Sequence, residues 1–558
     1  MSDKITRRQA LKGATGASIS LLLPAACDST GVMTQSDSKV FSHGVASGDP
    51  DQSSVVIWTR VSVTTEDAPC NWFVASDAGF KNIVAKGQVI ANNKRDFTVK
   101  VLVENLSAGQ EYFYRFDANG ASSMVGQTKT LESGHLEDLT LAVATCSNYS
   151  FGYFNAYESI ANDGDIDLVI HLGDYIYEHG VDGYGGDVGK KIGRNHSPAH
   201  EILTLSDYRQ RHAQQKSDQG SLAMHARHPI IVIWDDHETA NNPWTGGAQN
   251  HQAEEGKWSE RREASLQAYY EWLPIRDPKV VSDRVNFWRH YKFGDLASII
   301  TLESRHTGRS KQIEYSEHLP QIRNAAEAET FLNEVVGAEN RNMLSDDMKQ
   351  FLQTELSESV SSNRRWRILG NQSIMAKSTS PSLDEPIFDS LRETLTGYIA
   401  STLKGRTRLG ELNLPDDLDA WDGYPRAREE LYQISKNAGA EDLLVLSGDS
   451  HSFWANALYD SDNQSMGLEL GSTGISSPRS LLSLGEQGIE RFDKINMEHN
   501  KEIVWSDGRH RGYIRLTINH EGAHADFIAV SNVESRDFSA KTIHSVDIAQ
   551  HKGKLQYE

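Results

Sequence analysis

The chain has 558 residues, 24% of them charged, and a formal net charge of −21 at pH 7. This length is too great for one ordinary hydrophobic core, so we expect two or more domains. The acidic balance argues against a nucleic-acid surface, which would need a basic face, and an anionic substrate would need positive charge supplied at the site itself. No long apolar run follows the N-terminus, which argues against a transmembrane helix.

Residues 1–37 have the features of an export signal and leader. In "TRRQALKG", Arg7 and Arg8 precede an apolar segment that ends in "SLLLPAAC", an order typical of a twin-arginine signal. "LPAAC" resembles a lipoprotein cleavage box ending at Cys27, although Pro24 stands where an aliphatic residue is usual, so lipidation and ordinary cleavage both stay open. We predict export by the twin-arginine translocation machinery to the periplasm, cell surface or medium, with a lipid on Cys27 as the only membrane link.

Residues 38–133 predict an N-terminal β-sandwich of the immunoglobulin or fibronectin type. "VVIWTRV" is typical of a strand, and "FTVKVLV" places apolar side chains on one face at period two. In "LSAGQEYFYRF", Tyr112 has the spacing of a tyrosine corner, in which a hydroxyl ties a strand to the preceding turn. Cys70 in "APCNWFVA" is best explained as a buried strand thiol. "LESGHLED" predicts the linker to the next domain.

Residues 139–535 alternate strand-like and helix-like segments, which predicts an α/β domain. The amphipathic stretches "FNAYESIAND" and "REASLQAYYEWL" indicate two of its helices. The glycine-rich segment "HGVDGYGGDVGKKIGRNHSPAH" predicts a long loop without regular structure, and loops of this length are often functional, so it is a candidate lid. Residues 536–558 are assigned to a C-terminal tail.

Four short apolar runs in this domain end on residue types that bind metals. The runs are "LTLAVATCSN", "DLVIHLGDYIYE", "PIIVIWDDHETANN" and "LLVLSGDSHS". They end on Cys146; on His171, Asp174 and Tyr177; on Asp235, Asp236, His237 and Glu238; and on Asp449 and His451. In α/β sheets, ligands bind at the carboxyl ends of the strands, so these groups are expected at one edge.

Several carboxylates gathered at one edge would repel one another unless cations lay between them. Taken singly, each residue has a simpler explanation: a strand-end aspartate is usually a helix cap or turn residue, a lone cysteine an apolar filler and a tyrosine part of the core. The repetition at four strand ends favours a centre with more than one metal. Carboxylates suit hard cations such as Ca²⁺, Mg²⁺ or Mn²⁺, whereas a thiolate beside a phenolate suits ferric iron.

The motifs "HLGDYIYEHG", "WDDHETANN" and "LSGDSHS" resemble the signatures of the alkaline phosphatase D (PhoD-like) family. The stretches "FSHGVASGDPDQSSVVIWTRV", "TLSDYRQRHAQQKSD", "YYEWLPIR" and "RILGNQSIMAK" are similar to that family too, so the resemblance covers nearly the whole chain after the signal. It implies a metallophosphoesterase α/β sandwich of the calcineurin-like type, with a site similar to that of purple acid phosphatases.

The resemblance implies one iron ion (Fe³⁺) paired with one or two Ca²⁺ ions. The implied iron ligands are Cys146, Asp174, Tyr177 and His451. Asp174 would bridge to calcium, with Asp236 and Asp449 as further calcium ligands. His237 would face the phosphate as a catalytic residue together with Asp174. For Asp235 both a ligand role and a position just behind the ligands stay open.

Two bridged cations can hold a phosphoryl group and lower the pKa of water, which predicts direct in-line attack by an activated hydroxide. His237 would stabilise charge or protonate the leaving group, unless it only orients a neighbour. Arg209, Arg211 and Arg305 are the predicted substrate-binding residues. For Arg209 and Arg211 the alternative is that they lie on a solvated helix face and form salt bridges. In "LESRHTGR", Glu303 replaces the aspartate of the family's "LDTR", which puts fine geometry there in doubt.

The function predicted from these features is an exported hydrolase of phosphomonoesters and phosphodiesters that acts on small phosphate-ester substrates. One alternative is a phospholipase D-like diesterase, although the polar "VDGYGGDVGKKIG" argues mildly against a lipid site. The second is a phosphate- or metal-binding envelope protein without catalysis, against which the complete ligand set argues.

Overall fold

The structure is a computed structural model that describes residues 39–62, 66–394, 397–478 and 484–558, with 393–394 and 397–400 described by backbone only. The predicted twin-arginine pair, Arg7 and Arg8, and the predicted lipid site at Cys27 lie outside the described residues. Among the described residues, no helix is both long and apolar enough to cross a bilayer.

The strands are numbered in chain order. They are β1 Val45–Gly48, β2 Val55–Arg60, β3 Ala68–Ala75, β4 Ile83–Ala91, β5 Thr98–Val103, β6 Glu111–Ala118, β7 Ala121–Ser122, β8 Gly126–Lys129, β9 Asp138–Ala144, β10 Leu168–His171, β11 Ile230–Val232, β12 Pro243–Trp244, β13 Gly247–Ala248, β14 His290–Phe293, β15 Ala297–Thr301, β16 Trp366–Gly370, β17 Leu443–Ser447, β18 Phe453–Tyr459, β19 Ser465–Gly471, β20 Ile503–Asp507, β21 Arg511–Asn519, β22 Ala523–Val530, β23 Ala540–His551 and β24 Lys554–Tyr557.

The α-helices are numbered in the same way. They are α1 Asn155–Asn162, α2 Gly186–Ile192, α3 Leu205–Gln215, α4 Gln219–Arg227, α5 Trp258–Trp272, α6 Tyr315–His318, α7 Ala325–Thr330, α8 Asp346–Ser361, α9 Pro386–Thr394, α10 Gly397–Glu411, α11 Pro425–Ala438 and α12 Gly485–His499.

Two mixed sheets face each other across the main core. One has ten strands in the order β24-β23-β22-β21-β9-β10-β11-β1-β2-β5, and the other has seven in the order β14-β15-β16-β17-β19-β18-β20. Val143 and Ile170 of the first sheet share this core with Ile368 and Leu444 of the second. Strands β9, β10 and β11 run parallel to one another, as do β15, β16 and β17. The predicted α/β class is therefore confirmed.

Helices cover the outer faces of both sheets. Strand β9 illustrates the reason: Leu141 and Val143 point into the main core, whereas Ala142 and Ala144 point to the helix side. Small alanines let helix α1 approach the sheet closely, and burial of both faces explains why these strands are almost wholly apolar. Helices α1, α4 and α5 pack on the first sheet, and α8 and α11 pack on the second.

The N-terminal strands form two layers, but one layer belongs to the ten-stranded sheet. The other is a five-stranded sheet of β4, β3, β6, β7 and β8. Ile57 of β2 shares a core with Val74 and Phe116 of the smaller sheet. Strand β1 pairs in parallel with β11 at Gly48 and Ile230, where a Cβ on residue 48 would lie 2.4 Å from the Ile230 carbonyl oxygen. The predicted two-layer packing is present, and its immunoglobulin-like type stays a prediction.

Two details predicted for this segment are visible in the structure. The backbone N–H of Ser107 donates to the Tyr112 hydroxyl over 2.9 Å, the contact that defines a tyrosine corner. Cys70 lies in β3 as a fully buried free thiol, packed in the core that the two layers share.

The segment 536–558, expected to be a tail, instead completes the ten-stranded sheet. Strand β23 pairs antiparallel with β22, and β24 pairs with β23. Ile548 and Leu555 enter the main core between the two sheets. The predicted domain boundary at residue 535 is therefore wrong, because these strands bury apolar side chains that the first sheet would otherwise leave exposed.

Candidate metal centre and catalytic pocket

The four predicted strand endings converge at one edge of the two-sheet core. Cys146 follows β9, Asp174 follows β10, Asp236 follows β11 and Asp449 follows β17. The first two loops are joined by backbone hydrogen bonds, from Cys146 N to Gly173 O over 3.1 Å and from Ser147 N to Asp174 O over 2.8 Å. The strand ends therefore place the side chains, as expected for an α/β site.

Several residues at this edge adopt left-handed backbone conformations that are uncommon outside glycine. Their φ angles are 57° at Cys146, 56° at Asp174, 63° at Asp449 and 54° at His451. Such conformations cost about 1–3 kcal/mol for a non-glycine residue and cluster at functional sites. The adjoining Gly173 has no alternative, because a Cβ there would lie 2.3 Å from the Asp235 Cβ.

A first group combines a thiol, a carboxylate, a phenol and an imidazole. The Cys146 sulfur, an Asp174 oxygen and a His451 ring nitrogen all lie within 4.8 Å of one another. The Tyr177 hydroxyl donates to Asp174 Oδ2 over 2.9 Å and lies 3.2 Å from His451 Nε2. The structure thus brings together the four residues predicted to bind iron, and their role as ligands stays a prediction.

A second group shares Asp174 with the first. Asp174, Asp236 and His237 each offer one ligand atom, and these atoms also lie within 4.8 Å of one another. Asp449 joins this group through Arg305, whose Nη2 lies 3.4 Å from Asp449 Oδ2 and 3.9 Å from Asp236 Oδ1. Asp174 therefore occupies the bridging position between the two groups.

The chemistry of these donors fits bound cations. Burial raises the pKa of Asp174 well above its usual value, and the Asp236 carboxylate adds to the rise despite the opposing charge of His237. Burial and then the Asp174 carboxylate raise the pKa values of the Cys146 thiol and the Tyr177 phenol well above their usual range. Cations at this position would favour the ionised forms of all these groups, which are the forms that bind metals.

Two carboxylate oxygens in the acidic segment that follows β11 also indicate that cations bind here. Within the described part of the chain, Asp236 Oδ1 and Asp235 Oδ2 are buried without a hydrogen-bond partner. A buried carboxylate oxygen without a partner is costly, and a hard cation is the natural partner for it. The donor set at this edge therefore fits a centre of metal ions.

His237 is held by a buried carboxylate on the far side of its ring. Its Nδ1 lies 2.6 Å from Glu178 Oε2, and its ring stacks on Tyr177 with 4.3 Å between centroids. Glu178 also accepts from Asn241 N and Asn250 Nδ2, each over 2.8 Å. Burial lowers the pKa of His237, but the Asp236 and Glu178 carboxylates outweigh it and raise that pKa well above its usual value.

Arg305 is a correction to the predicted substrate-binding set. It is fully buried, and its guanidinium binds Asp235, Asp419 and Asp449. Because these carboxylates occupy its donors and it does not line the cavity, its position is that of a counter-charge to the acidic centre. Asp235 is thus placed against Arg305 through one oxygen, and burial raises the pKa of Asp235 to about 6.

Glu303, which replaces the family's aspartate, organises the loop that carries Arg305. Its Oε1 accepts from the backbone N–H groups of Arg305 over 2.9 Å and His306 over 2.7 Å. The same oxygen accepts from Trp234 Nε1 over 3.1 Å, and Oε2 accepts from Thr307 N over 2.9 Å. With the Thr307 hydroxyl, which also donates to Oε2, the longer side chain reaches five donors and holds the loop in place.

Arg209 and Arg211 are further corrections. Arg209 forms a two-pronged ion pair with Glu271, over 2.7 and 2.8 Å, and also donates to the Lys94 carbonyl. Arg211 is buried, and its guanidinium donates to the carbonyls of Tyr177, Ser197 and Pro198. Neither lines the cavity, so Arg209 joins helix α3 to its neighbours and Arg211 supports the loop behind Tyr177.

A cavity of about 580 Å³ opens in front of the centre. Its lining includes Asp236, His237, Asp449 and His451 of the predicted site. It also includes His179, Tyr184, Asn241, Asn242, Gln249, Asn250, Ile374, Ala376, Ser378, Arg406, Asp416, Asp417, Ala420, Asp422, Ser450 and Trp454. The volume is in the range of small-molecule sites, and the convergent polar groups mark it as the candidate catalytic pocket.

Part of the predicted glycine-rich loop borders this pocket. Tyr184 donates to the Pro478 carbonyl over 3.1 Å and lies 3.4 Å from His451 Nδ1. The same segment contains helix α2, so the prediction that it lacks regular structure is wrong there. Glycine at 186 permits this helix, because a Cβ would lie 2.0 Å from the Val181 carbonyl oxygen.

Two acidic residues of the site, Glu178 and Asp419, were given no role by sequence reasoning. Glu178 orients His237, and Asp419 binds Arg305 and Arg309. Glu178 lies inside a quoted motif and could have been singled out there, whereas nothing in its neighbourhood in the sequence marks Asp419. Glu238, named from the sequence as a strand-end residue of metal-binding type, instead accepts from the backbone N–H groups of Asp174, Tyr175 and Asp235.

Comparisons with known proteins agree with this geometry. Residues 141–527 match the family model "PhoD-like phosphatase", and residues 26–132 match its N-terminal domain. Alkaline phosphatase D of Bacillus subtilis (strain 168) is 33% identical over 509 residues, covering 87% of this chain and 77% of that protein. A solved structure of PhoD superposes with a TM-score of 0.73 at 29% identity, covering 93% of this chain and 92% of that one.

A second solved structure is similar in fold at low sequence identity. The yellow lupin purple acid phosphatase PPD1 gives a TM-score of 0.50 at 11% identity, over 90% of this chain and 74% of that one.

Proposed function

The chain belongs to the PhoD-like phosphatase family and is a metal-dependent phosphoesterase, and from this premise we propose that it is exported and hydrolyses both phosphomonoesters and phosphodiesters. The observation that carries the proposal is the pair of donor groups that share the buried Asp174, with Asp236, His237 and His451 of these groups lining the cavity. A shared carboxylate is what a two-metal phosphoesterase requires to hold its ions about 3.5–4 Å apart.

The proposed cofactors are one Fe³⁺ and one or two Ca²⁺. Iron would be held by the group that contains Cys146 and Tyr177, because a thiolate and a phenolate are anionic donors suited to a highly charged transition metal. Calcium would be held by Asp236 and Asp449, whose oxygens suit a hard cation. When bound, such ions polarise the phosphoryl oxygens and lower the pKa of water.

The chain's own residues supply binding and proton transfer. Glu178 binds His237 Nδ1 and, together with Asp236, favours the imidazolium form, so that a protonated Nε2 faces the cavity side, 3.9 Å from Asp236 Oδ2. From there His237 can donate a hydrogen bond to a phosphoryl oxygen or give a proton to the leaving oxygen. No serine or cysteine nucleophile is needed, because water attacks phosphorus directly.

The remaining parts of the proposal, which concern the domain types and export, rest on features of the sequence. We take the two facing sheets as a calcineurin-like sandwich and the N-terminal layers as an immunoglobulin-like module, which the tyrosine corner at Tyr112 supports. The Arg7-Arg8 signal would direct export through the twin-arginine route, and Cys27 would be the site of any lipid.

The test is hydrolysis of bis(p-nitrophenyl) phosphate and p-nitrophenyl phosphate by the metal-loaded chain, with and without a calcium chelator. We expect turnover of both esters, its loss on chelation and its return on addition of Ca²⁺. A sample that metal analysis shows to be fully loaded, but that hydrolyses neither ester, would reject catalysis and favour a role in binding phosphate.

A further inference from the structure

A second polar cavity lies at the start of strand β21, beside the first turn of helix α12. It has a volume of about 510 Å³ and is lined by Arg509, His510, Arg511 and Lys541. One carboxylate, Glu486, lines it among the described residues. In a chain with a net charge of −21, a concave surface with this excess of positive charge is exceptional.

Two of the four basic groups have no carboxylate partner. Arg509 is paired with Asp507 and Glu490, and His510 with Asp507. Arg511 and Lys541 form no ion pair with any residue that the structure describes, and the one hydrogen bond found for the Arg511 guanidinium goes to the Arg509 carbonyl over 3.1 Å. Arg511 is partly buried, and the Glu534 carboxylate acts on its charge without forming an ion pair, which leaves the guanidinium open to a further anion.

Helix α12 adds a smaller contribution at the same cavity. Its first residue, Gly485, lines the cavity, and its N-cap, Leu484, has no side chain that can accept from the first turn. Backbone N–H groups at a helix start favour anions. Arginine donors, an ammonium group and a helix start thus face one cavity.

The cavity adjoins the candidate metal centre through a short chain of backbone contacts. Gly512, next to Arg511, donates to the Gly474 carbonyl over 3.2 Å, and Ser477 of the same loop donates to the Cys146 carbonyl over 3.3 Å. The Ser477 hydroxyl then donates to the Tyr177 oxygen over 2.9 Å. One loop therefore separates the basic cavity from the predicted iron ligands.

We propose that the cavity containing Arg511 and Lys541 is a second anion site, which binds a phosphate group separately from the catalytic pocket. Two sources share this chemistry: a second phosphate carried by the substrate, and free inorganic phosphate. Arginine suits the site because its planar donors match phosphate oxygens in pairs.

The first experiment is calorimetric titration of the metal-loaded full chain with inorganic phosphate. We expect two binding events in the wild type and loss of one of them in Arg511→Gln and in Lys541→Gln. Arg515→Gln is the matched control, because Arg515 lies on the same strand, is paired with Asp163 and does not line this cavity. Lys541 is exposed, so its replacement tests the site even if Arg511→Gln folds poorly.

The second experiment distinguishes the two sources by comparing kcat/KM for fructose bisphosphate with that for fructose monophosphate. If the site binds a second substrate phosphate, Arg511→Gln lowers the preference for the bisphosphate about tenfold, the size expected for one charged hydrogen bond. If it binds free phosphate, the preference is unchanged and one binding event is lost. A single phosphate-binding event in the wild type, together with an unchanged preference in Arg511→Gln, would overturn the proposal.

The proposal can be separated from the proposed function. Turnover of p-nitrophenyl phosphate is measured on the same samples, and an inactive wild type would count against catalysis. Even then, loss of one phosphate-binding event in Arg511→Gln would show that the second site exists.

Discussion

His237 Nδ1 and Glu178 Oε2 lie 2.6 Å apart, and both residues are buried at the edge of the catalytic pocket. The Glu178 carboxylate keeps its charge, since the nearby His179 and His237 outweigh the effect of burial and hold its pKa well below the usual value. The pair therefore fixes the orientation of the imidazole and favours its imidazolium form, in which Nε2–H faces the cavity.

The first prediction concerns this pair. We expect His237→Ala to lower kcat by about 10²–10⁴-fold, the usual range for a general acid, and Glu178→Gln to lower it by about 10–100-fold. If His237 protonates the leaving group, the loss is larger for an alkyl phosphate than for p-nitrophenyl phosphate, whose leaving group needs no proton. Equal losses for the two substrates would leave His237 with a role in positioning only.

The second prediction concerns the thiol at the end of β9. Replacing Cys146 by serine removes the soft donor, so we expect the iron content to fall while calcium is retained, with loss of most activity. Elemental analysis of the purified protein measures both metals. Cys70→Ser is the control, because Cys70 is also buried and free but lies in the N-terminal core. Normal iron content in Cys146→Ser would reject the assignment.

The third prediction concerns the buried arginine behind the centre. Arg305→Met leaves Asp235, Asp419 and Asp449 without their counter-charge, so we expect the free energy of unfolding to fall by about 3–5 kcal/mol. Urea denaturation of the chain measures this change.

Arg209→Gln is the matched control for Arg305→Met. It removes one partner of Glu271, which is buried, whereas Arg209 itself is partly exposed, so we expect a smaller loss of about 1–3 kcal/mol and an unchanged kcat/KM. If Arg209→Gln instead raised KM strongly, the sequence-based assignment of Arg209 to substrate binding would be restored.

The fourth prediction is a pH dependence of stability that originates in Lys216. Its ammonium nitrogen is buried 4.8 Å from the Trp58 ring centroid and 5.5 Å from that of Tyr175, without a hydrogen-bond partner among the described residues. Burial lowers the pKa of Lys216 to about 7. In the unfolded chain the pKa is about 10.4, so between these values the unfolded state binds more protons and stability rises with pH.

Lys216→Met isolates this effect. The free energy of unfolding of the wild type, relative to that of the variant, should rise from about pH 7 to about pH 10 and level off outside that window. Denaturation curves collected across this range measure the difference, in which the other titrating groups largely cancel. A difference that stays constant with pH would show that Lys216 is charged in the folded protein.

Much of the site could be predicted because its residues follow strands directly. A buried parallel strand is recognisable as a short apolar run, and the residue after it must emerge at the carboxyl edge of the sheet. For this reason the sequence pattern groups Cys146, Asp174, Asp236 and Asp449, and the structure places them at one edge.

The β-rich ends of the chain were less predictable. The strand pattern indicated two layers in the N-terminal segment, but it carried no sign that β1 would pair with β11, far along the chain. The pattern likewise did not show that β23 would find β22 as its partner. Strand pairing depends on which sheet edges remain open after the rest of the sheet has formed. The local alternation of apolar and polar residues carries no information about those edges.

The sequence by itself determined the family, the α/β class and the identity of the donors at the strand ends, because these depend on residue type and short-range order. Only the tertiary structure decided what the arginines do. Arg305 is neutralised by Asp419, 114 residues away, and Arg209 by Glu271, 62 residues away. A buried charge is stabilised by whichever opposite charge the fold brings next to it, and only the packed chain brings such partners together.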